Sequence, residues 1–224
     1  MPDLRDRLRA ALSQPARMPP APRAESVTAL RDLSALGGAW FESPHGPGYV
    51  IESAYEAGWA HGDVVLHRAL SLDPARLGGQ VREPRLAALH PRDFLYSDSE
   101  TTGLCGAGAM VFLAGTARFD GTLLRLRQYV LPSPEFEGGL VGGLADDLER
   151  AGARVSYNGK SFDLPMLETR YILSRTRPTF RQLPHLDLLH PNRRLFRGQF
   201  RALRPVLDGC LAAWRGEQGR SGKY

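Results

Sequence analysis

Between residues 93 and 189 strand-like runs alternate with residues that turn the chain or start a helix, and few architectures accommodate that order. Residues 94–98, 110–117 and 123–131 read as three strands. The third alternates as Leu-Leu-Arg-Leu-Arg-Gln-Tyr-Val-Leu, the pattern of a strand with one buried face. Asp120-Gly121 between the last two is a hairpin turn signal. Ser133-Pro134-Glu135 then starts a helix, with Ser as N-cap, Pro in first position and an acid in the first turn. That helix runs to about Arg150 and ends at Gly152; Gly138-Gly139 and Gly142-Gly143 weaken it. Residues 154–157 form a fourth strand, Asp163 caps a helix over 164–173, and 185–189 form a fifth short strand. The order βββαβαβ predicts an α/β fold, a hairpin followed by helical crossovers.

The flanks are less regular. Residues 1–35 read as a loose basic arm, with a short helix near 4–12. Residues 36–91 read as a small β-rich N-terminal segment, with Ser43-Pro44-His45-Gly46-Pro47-Gly48 and the alternating Tyr49-Val50-Ile51-Glu52. The core is assigned to 92–197, and 198–224 reads as an atypical tail expected to fray. Cys105 and Cys210 give neither a disulfide framework nor zinc spacing, which suits a reducing cytoplasm. The N-terminus does not read as a signal peptide, and no run approaches the roughly 20 apolar residues of a membrane span. The expectation is a soluble cytoplasmic protein with no membrane partner. A net charge of +5 suits a polyanion. Only Lys160 and Lys223 are lysines, however, and an arginine skew beside abundant Ala, Gly and Pro also fits GC-rich coding.

The candidate chemistry begins at the end of the first core strand. Asp98 and Glu100 lie two residues apart and would project from one strand face, where a hard divalent cation could bridge them. Gly103 lets the chain turn directly afterwards. The spacing also describes an ordinary exposed strand end. Asp163 is a third candidate ligand, and equally a plain helix N-cap. The polar loop before it carries Asn158 and Lys160, which could meet a phosphate or sugar, and Phe162, which could stack on a base or fill the core.

Asp98-Ser99-Glu100-Thr101-Thr102-Gly103-Leu104, taken with Asn158-Gly159-Lys160-Ser161-Phe162-Asp163, resembles motifs I and II of the DEDD 3′–5′ exonucleases of the ribonuclease H-like superfamily. Further words, among them Arg127-Gln128-Tyr129 and Pro184-His185-Leu186-Asp187-Leu188-Leu189-His190-Pro191, resemble the bacterial YprB-like branch, over about residues 36–197. The resemblance implies a ribonuclease H-like mixed sheet flanked by helices and a two-metal site using Mg2+ or Mn2+. It implies Asp98, Glu100 and Asp163 as catalytic metal ligands. Thr101, Thr102 and Leu104 would hold the terminal nucleotide of single-stranded DNA or RNA, and Asn158 would help place the scissile end. The family pattern includes a fourth acid and general base in a late His-Asn-x-x-Asp motif, which these 224 residues do not contain. Cleavage is therefore expected to be impaired, and a frameshift or premature end near Gly198 is expected. Asp187 is a candidate substitute ligand, with His185 or His190 as base. The alternatives are a non-catalytic nucleic-acid-binding relative, or a shortened product that folds poorly.

Overall fold

The computed structural model describes residues 33–103, 108–175 and 182–196. Residues 1–32 of the arm predicted over 1–35, Leu104 with Cys105, and the tail beyond 196 lie outside the described residues. Nine strands are described: β1 (Ala39–Ser43), β2 (Gly46–Tyr55), β3 (Ala60–His61), β4 (Val64–Val65), β5 (Phe94–Thr101), β6 (Val111–Asp120), β7 (Leu123–Val130), β8 (Ala153–Ser156) and β9 (His185–Asp187). Four α-helices accompany them: α1 (Pro74–Val81), α2 (Glu137–Glu149), α3 (Asp163–Leu173) and α4 (Leu189–Leu195).

Seven strands make one mixed sheet in the order β1-β2-β7-β6-β5-β8-β9. The β1 to β5 side pairs antiparallel, while β5, β8 and β9 are parallel and joined by helical crossovers. This is the mixed sheet flanked by helices that the sequence implied. Gly121, at φ +62°, makes the β6–β7 turn without steric cost. The β1–β2 hairpin pairs directly onto β7, so part of the front segment belongs to the same sheet.

One sheet face packs on α2 and α3, burying Leu95, Val111, Tyr129, Leu144, Leu167 and Tyr171. The other buries Phe94, Val155 and Leu186 beneath Leu86, with α1 contributing Leu77 and Val81. The paired glycines of α2 owe their presence to packing. A Cβ at Gly139 would fall on the Pro47 carbonyl, and one at Gly142 on the Ser43 hydroxyl. The helix trades intrinsic propensity for backbone-to-backbone approach to the β1–β2 hairpin. Near its far end, Asp147 is 2% exposed and accepts from the Thr116 hydroxyl (2.6 Å), the Tyr129 phenol (2.9 Å) and the Arg127 guanidinium (2.8 Å).

Two local expectations are corrected. Asp163 does not cap α3: Phe162 is the cap residue and Asp163 begins the first turn, because its carboxylate is taken by the Ser99 hydroxyl. The fifth strand stops at Asp187, because that carboxylate accepts the Leu189 amide (3.1 Å) and starts α4 there. Among the described residues no helix is long and apolar enough to cross a membrane.

Candidate active site

Asp98 and Glu100 stand exposed near the end of β5, on the face shared with Phe94 and Tyr96. The ladder to β6 shifts register between Glu100 and Thr101, and pairing resumes beyond the irregularity at Thr101 and Val111. The turn beyond is tied to itself. The Thr101 hydroxyl donates to the Gly103 carbonyl (2.8 Å), and the Thr102 hydroxyl accepts the Met110 amide (3.0 Å). Asp163, 3% exposed, lies against the opposite face of β5, where it meets Ser99. It is close enough to act on Asp98: burial first, then Asp163 and Glu100, push the Asp98 carboxyl above the usual aspartate range.

Beneath the acids sits a buried cation that the sequence did not single out. Arg154 on β8 is 1% exposed, and its Nε donates to the Ser97 hydroxyl (2.7 Å). Burial draws its pKa down, while Asp163, Tyr171, Asp187 and Asp98 pull it up. The alternation Ser97-Asp98-Ser99-Glu100 thus has two uses: acids to the open face, and hydroxyls to Arg154 and Asp163 behind. That alternation was the available signal for Ser97 and Ser99.

The Asn158–Lys160 loop is held by Asp187. Its carboxylate accepts the amides of Asn158 (2.8 Å) and Lys160 (2.9 Å) in addition to Leu189. Burial would raise this carboxyl, but the three amides outweigh it and hold it below the ordinary range. Asn158 adopts a left-handed φ of +65°, which asparagine tolerates better than most residues. The Lys160 side chain is exposed and lines a cavity of about 480 Å3 with Glu83, Arg85 and Glu168. Phe162 is half-buried at the entrance to α3. His185 is buried and shares a 2.7 Å hydrogen bond with the Ser156 hydroxyl. Burial, then Arg154 and Lys160, lower it to about 4, so it is neutral at physiological pH. His190 is exposed on α4.

Beside Asp98 the open face is largely apolar. A cleft of about 290 Å3 runs over Tyr96, Ala117, Leu126 and Val155 to Leu188 and Tyr157, a residue 47% exposed. Carboxylate oxygens suit a hard divalent cation, and the repulsion felt by Asp98 is what such an ion would relieve. Among the described residues no three His, Cys, Asp or Glu side chains converge on one metal position. Asp98 and Glu100 share one face of β5, whereas the Asp163 carboxylate is turned to the Ser99 hydroxyl.

Residues 95–205 match the sequence profile of the RNase_H superfamily. The chain is also 39% identical over 107 residues to "Uncharacterized protein YprB" of Bacillus subtilis (strain 168). That alignment covers 47% of this chain and 26% of the relative, so the chain corresponds to about a quarter of the relative's length. The mixed sheet and the acid-bearing end of β5 are consistent with this similarity to the RNase_H superfamily over residues 95–205.

Proposed function

We propose that this chain is a metal-dependent 3′–5′ exonuclease that hydrolyses single-stranded DNA or RNA and releases 5′-mononucleotides. The observation that carries this reading is the exposed pair Asp98 and Glu100 on one face of β5, with Asp163 near enough to repel Asp98. Asp98, Glu100 and Asp163 would hold Mg2+ or Mn2+, with the Ser99 hydroxyl donating to the Asp163 carboxylate. Such an ion would supply Lewis-acid activation of water and charge stabilisation for the leaving group. Thr101, Thr102 and Leu104 position the terminal nucleotide, and the apolar cleft beside Asp98 seats its base against Tyr157. Asn158 orients the scissile end from the loop that Asp187 fixes. Asp187 and His185 act as structural supports, since their polar atoms are engaged by the loop amides and by Ser156. No fourth acid of the expected motif occurs in the 224 residues, and a missing general base commonly costs about 10²–10⁴-fold. Slow turnover is therefore expected of this chain on its own.

One observation favours a second reading, a non-catalytic binder of single strands: the described acids do not close into a three-ligand site. A 5′-labelled oligonucleotide incubated with Mg2+ or Mn2+ distinguishes the two. Shortening from the 3′ end that disappears in Asp98→Ala supports the exonuclease. Salt-sensitive binding without cleavage refutes it and leaves the binder.

A further inference from the structure

On the helix-covered side of the sheet, opposite the acidic pair, a cavity of about 310 Å3 opens between β6, β7 and the end of α2. Its size falls at the lower end of small-ligand pockets, roughly 300–1,000 Å3. Four arginines, Arg118, Arg125, Arg127 and Arg150, line it together with Asp120, Asp147 and Thr116, so cations outnumber carboxylates two to one. Arg127 is committed, to Asp147 and Glu52. The other three are not so bound. Among the described residues Arg125 meets only Asp120, and Arg150 only Asp146, in pairs whose side chains are all at least half exposed. Exposed pairs of this kind contribute little and exchange readily. The Arg118 side chain has no hydrogen-bond or ion-pair partner among the described residues.

The register sharpens the point. Arg118 lies directly opposite Arg125 in the β6–β7 ladder. Like charges facing each other across an antiparallel pair are unfavourable. An anion between them converts the repulsion into two charge-assisted hydrogen bonds, and Arg150 reaches the same space from the helix end. Guanidinium forks match phosphate oxygens in pairs, which an isolated point charge does not.

We infer that Arg118, Arg125 and Arg150 form a second phosphate-binding site, which takes a backbone phosphodiester of the bound nucleic acid away from the acidic pair. It rests on the nucleic-acid reading above, but not on cleavage. The test is fluorescence anisotropy of a labelled single-stranded oligonucleotide in EDTA, across about 50 to 200 mM salt. The 224-residue wild-type chain is compared with Arg118→Gln/Arg125→Gln and with Asp98→Ala/Glu100→Ala. The arginine variant is expected to lower the slope of log affinity against log salt by about 0.7 for each phosphate it no longer neutralises. The weakening should be equal across sequences, and the melting temperature unchanged or raised because the facing charges are gone. The acid variant should keep the wild-type slope. An unchanged slope in the arginine variant, a slope change only in the acid variant, or wild type that does not bind would each overturn the site. Absent cleavage with the arginine-dependent slope intact would remove the nuclease reading alone.

Discussion

Replacing Asp147 by Ala tests whether the buried carboxylate under α2 is a keystone of the sheet-to-helix packing. The substitution removes the acceptor of three donors at once: the Thr116 hydroxyl, the Tyr129 phenol and the Arg127 guanidinium. Thr116 and Tyr129 are 2% and 3% exposed, so water does not readily replace the missing partner. A buried donor left unpaired costs about 1–3 kcal/mol, which gives about 2–6 kcal/mol for the two hydroxyls. The Arg127 bond adds less, because its side chain is 34% exposed and keeps Glu52. The central expectation is about 4 kcal/mol, out of a total stability of order 5–15 kcal/mol. For a chain of this size that lowers Tm by about 10 °C. Asp147→Asn keeps an acceptor oxygen and should cost less. Tyr129→Phe removes one donor and should cost about 1 kcal/mol. Urea denaturation at pH 7 measures all three. Asp147→Ala within about 1 kcal/mol of wild type would refute the reasoning, since the carboxylate would then have been no better than its burial cost.

Asp187→Ala should release the amides of Asn158 and Lys160, read as reduced hydrogen-exchange protection at those two residues while α2 stays protected. His185 supplies a pH dependence. Its folded pKa of about 4 lies below the ordinary 6.5, so the unfolded chain takes up the proton first. Stability is then full above about pH 6.5 and falls toward pH 4, by about 2 kcal/mol at pH 5. His185→Gln should flatten that part of the stability curve. Gly139→Ala sets two effects against each other: helix propensity favours Ala by about 1 kcal/mol, whereas the Pro47 carbonyl occupies the Cβ position. A net loss of stability in thermal melts is expected, and a gain would contradict the close approach.

Features read correctly from the sequence depend on near neighbours. The Asp120-Gly121 turn, the alternation of β7 and the shared face of Asp98 and Glu100 follow from spacings of one or two residues. What stayed hidden depends on partners far along the chain. Asp163 looked like a cap because Ser99, 64 residues earlier, is not visible as its donor. Asp187 and a metal-binding aspartate have the same side chain; only the three amides around it distinguish the anchoring role. Arg154 sat unnoticed in a four-residue strand, since a single charged residue there gives no sign of being buried. The glycines of α2 read as a weakness because propensity is a property of the helix alone, whereas their use lies in a hairpin some ninety residues away.

That glycine strip also bears on where the protein can be cut. A helix so poor in intrinsic propensity is held in shape by what it leans on, and α2 leans on β1 and β2 through bare backbone. A fragment trimmed to the recognisable 95–205 stretch would lose that support and expose a grooved helix flank with nothing shaped to fill it. The smallest excisable module therefore begins upstream of Ala39. The hairpin would then act as an internal clasp, whose docking carries the entropy cost of closing a chain loop of some ninety residues.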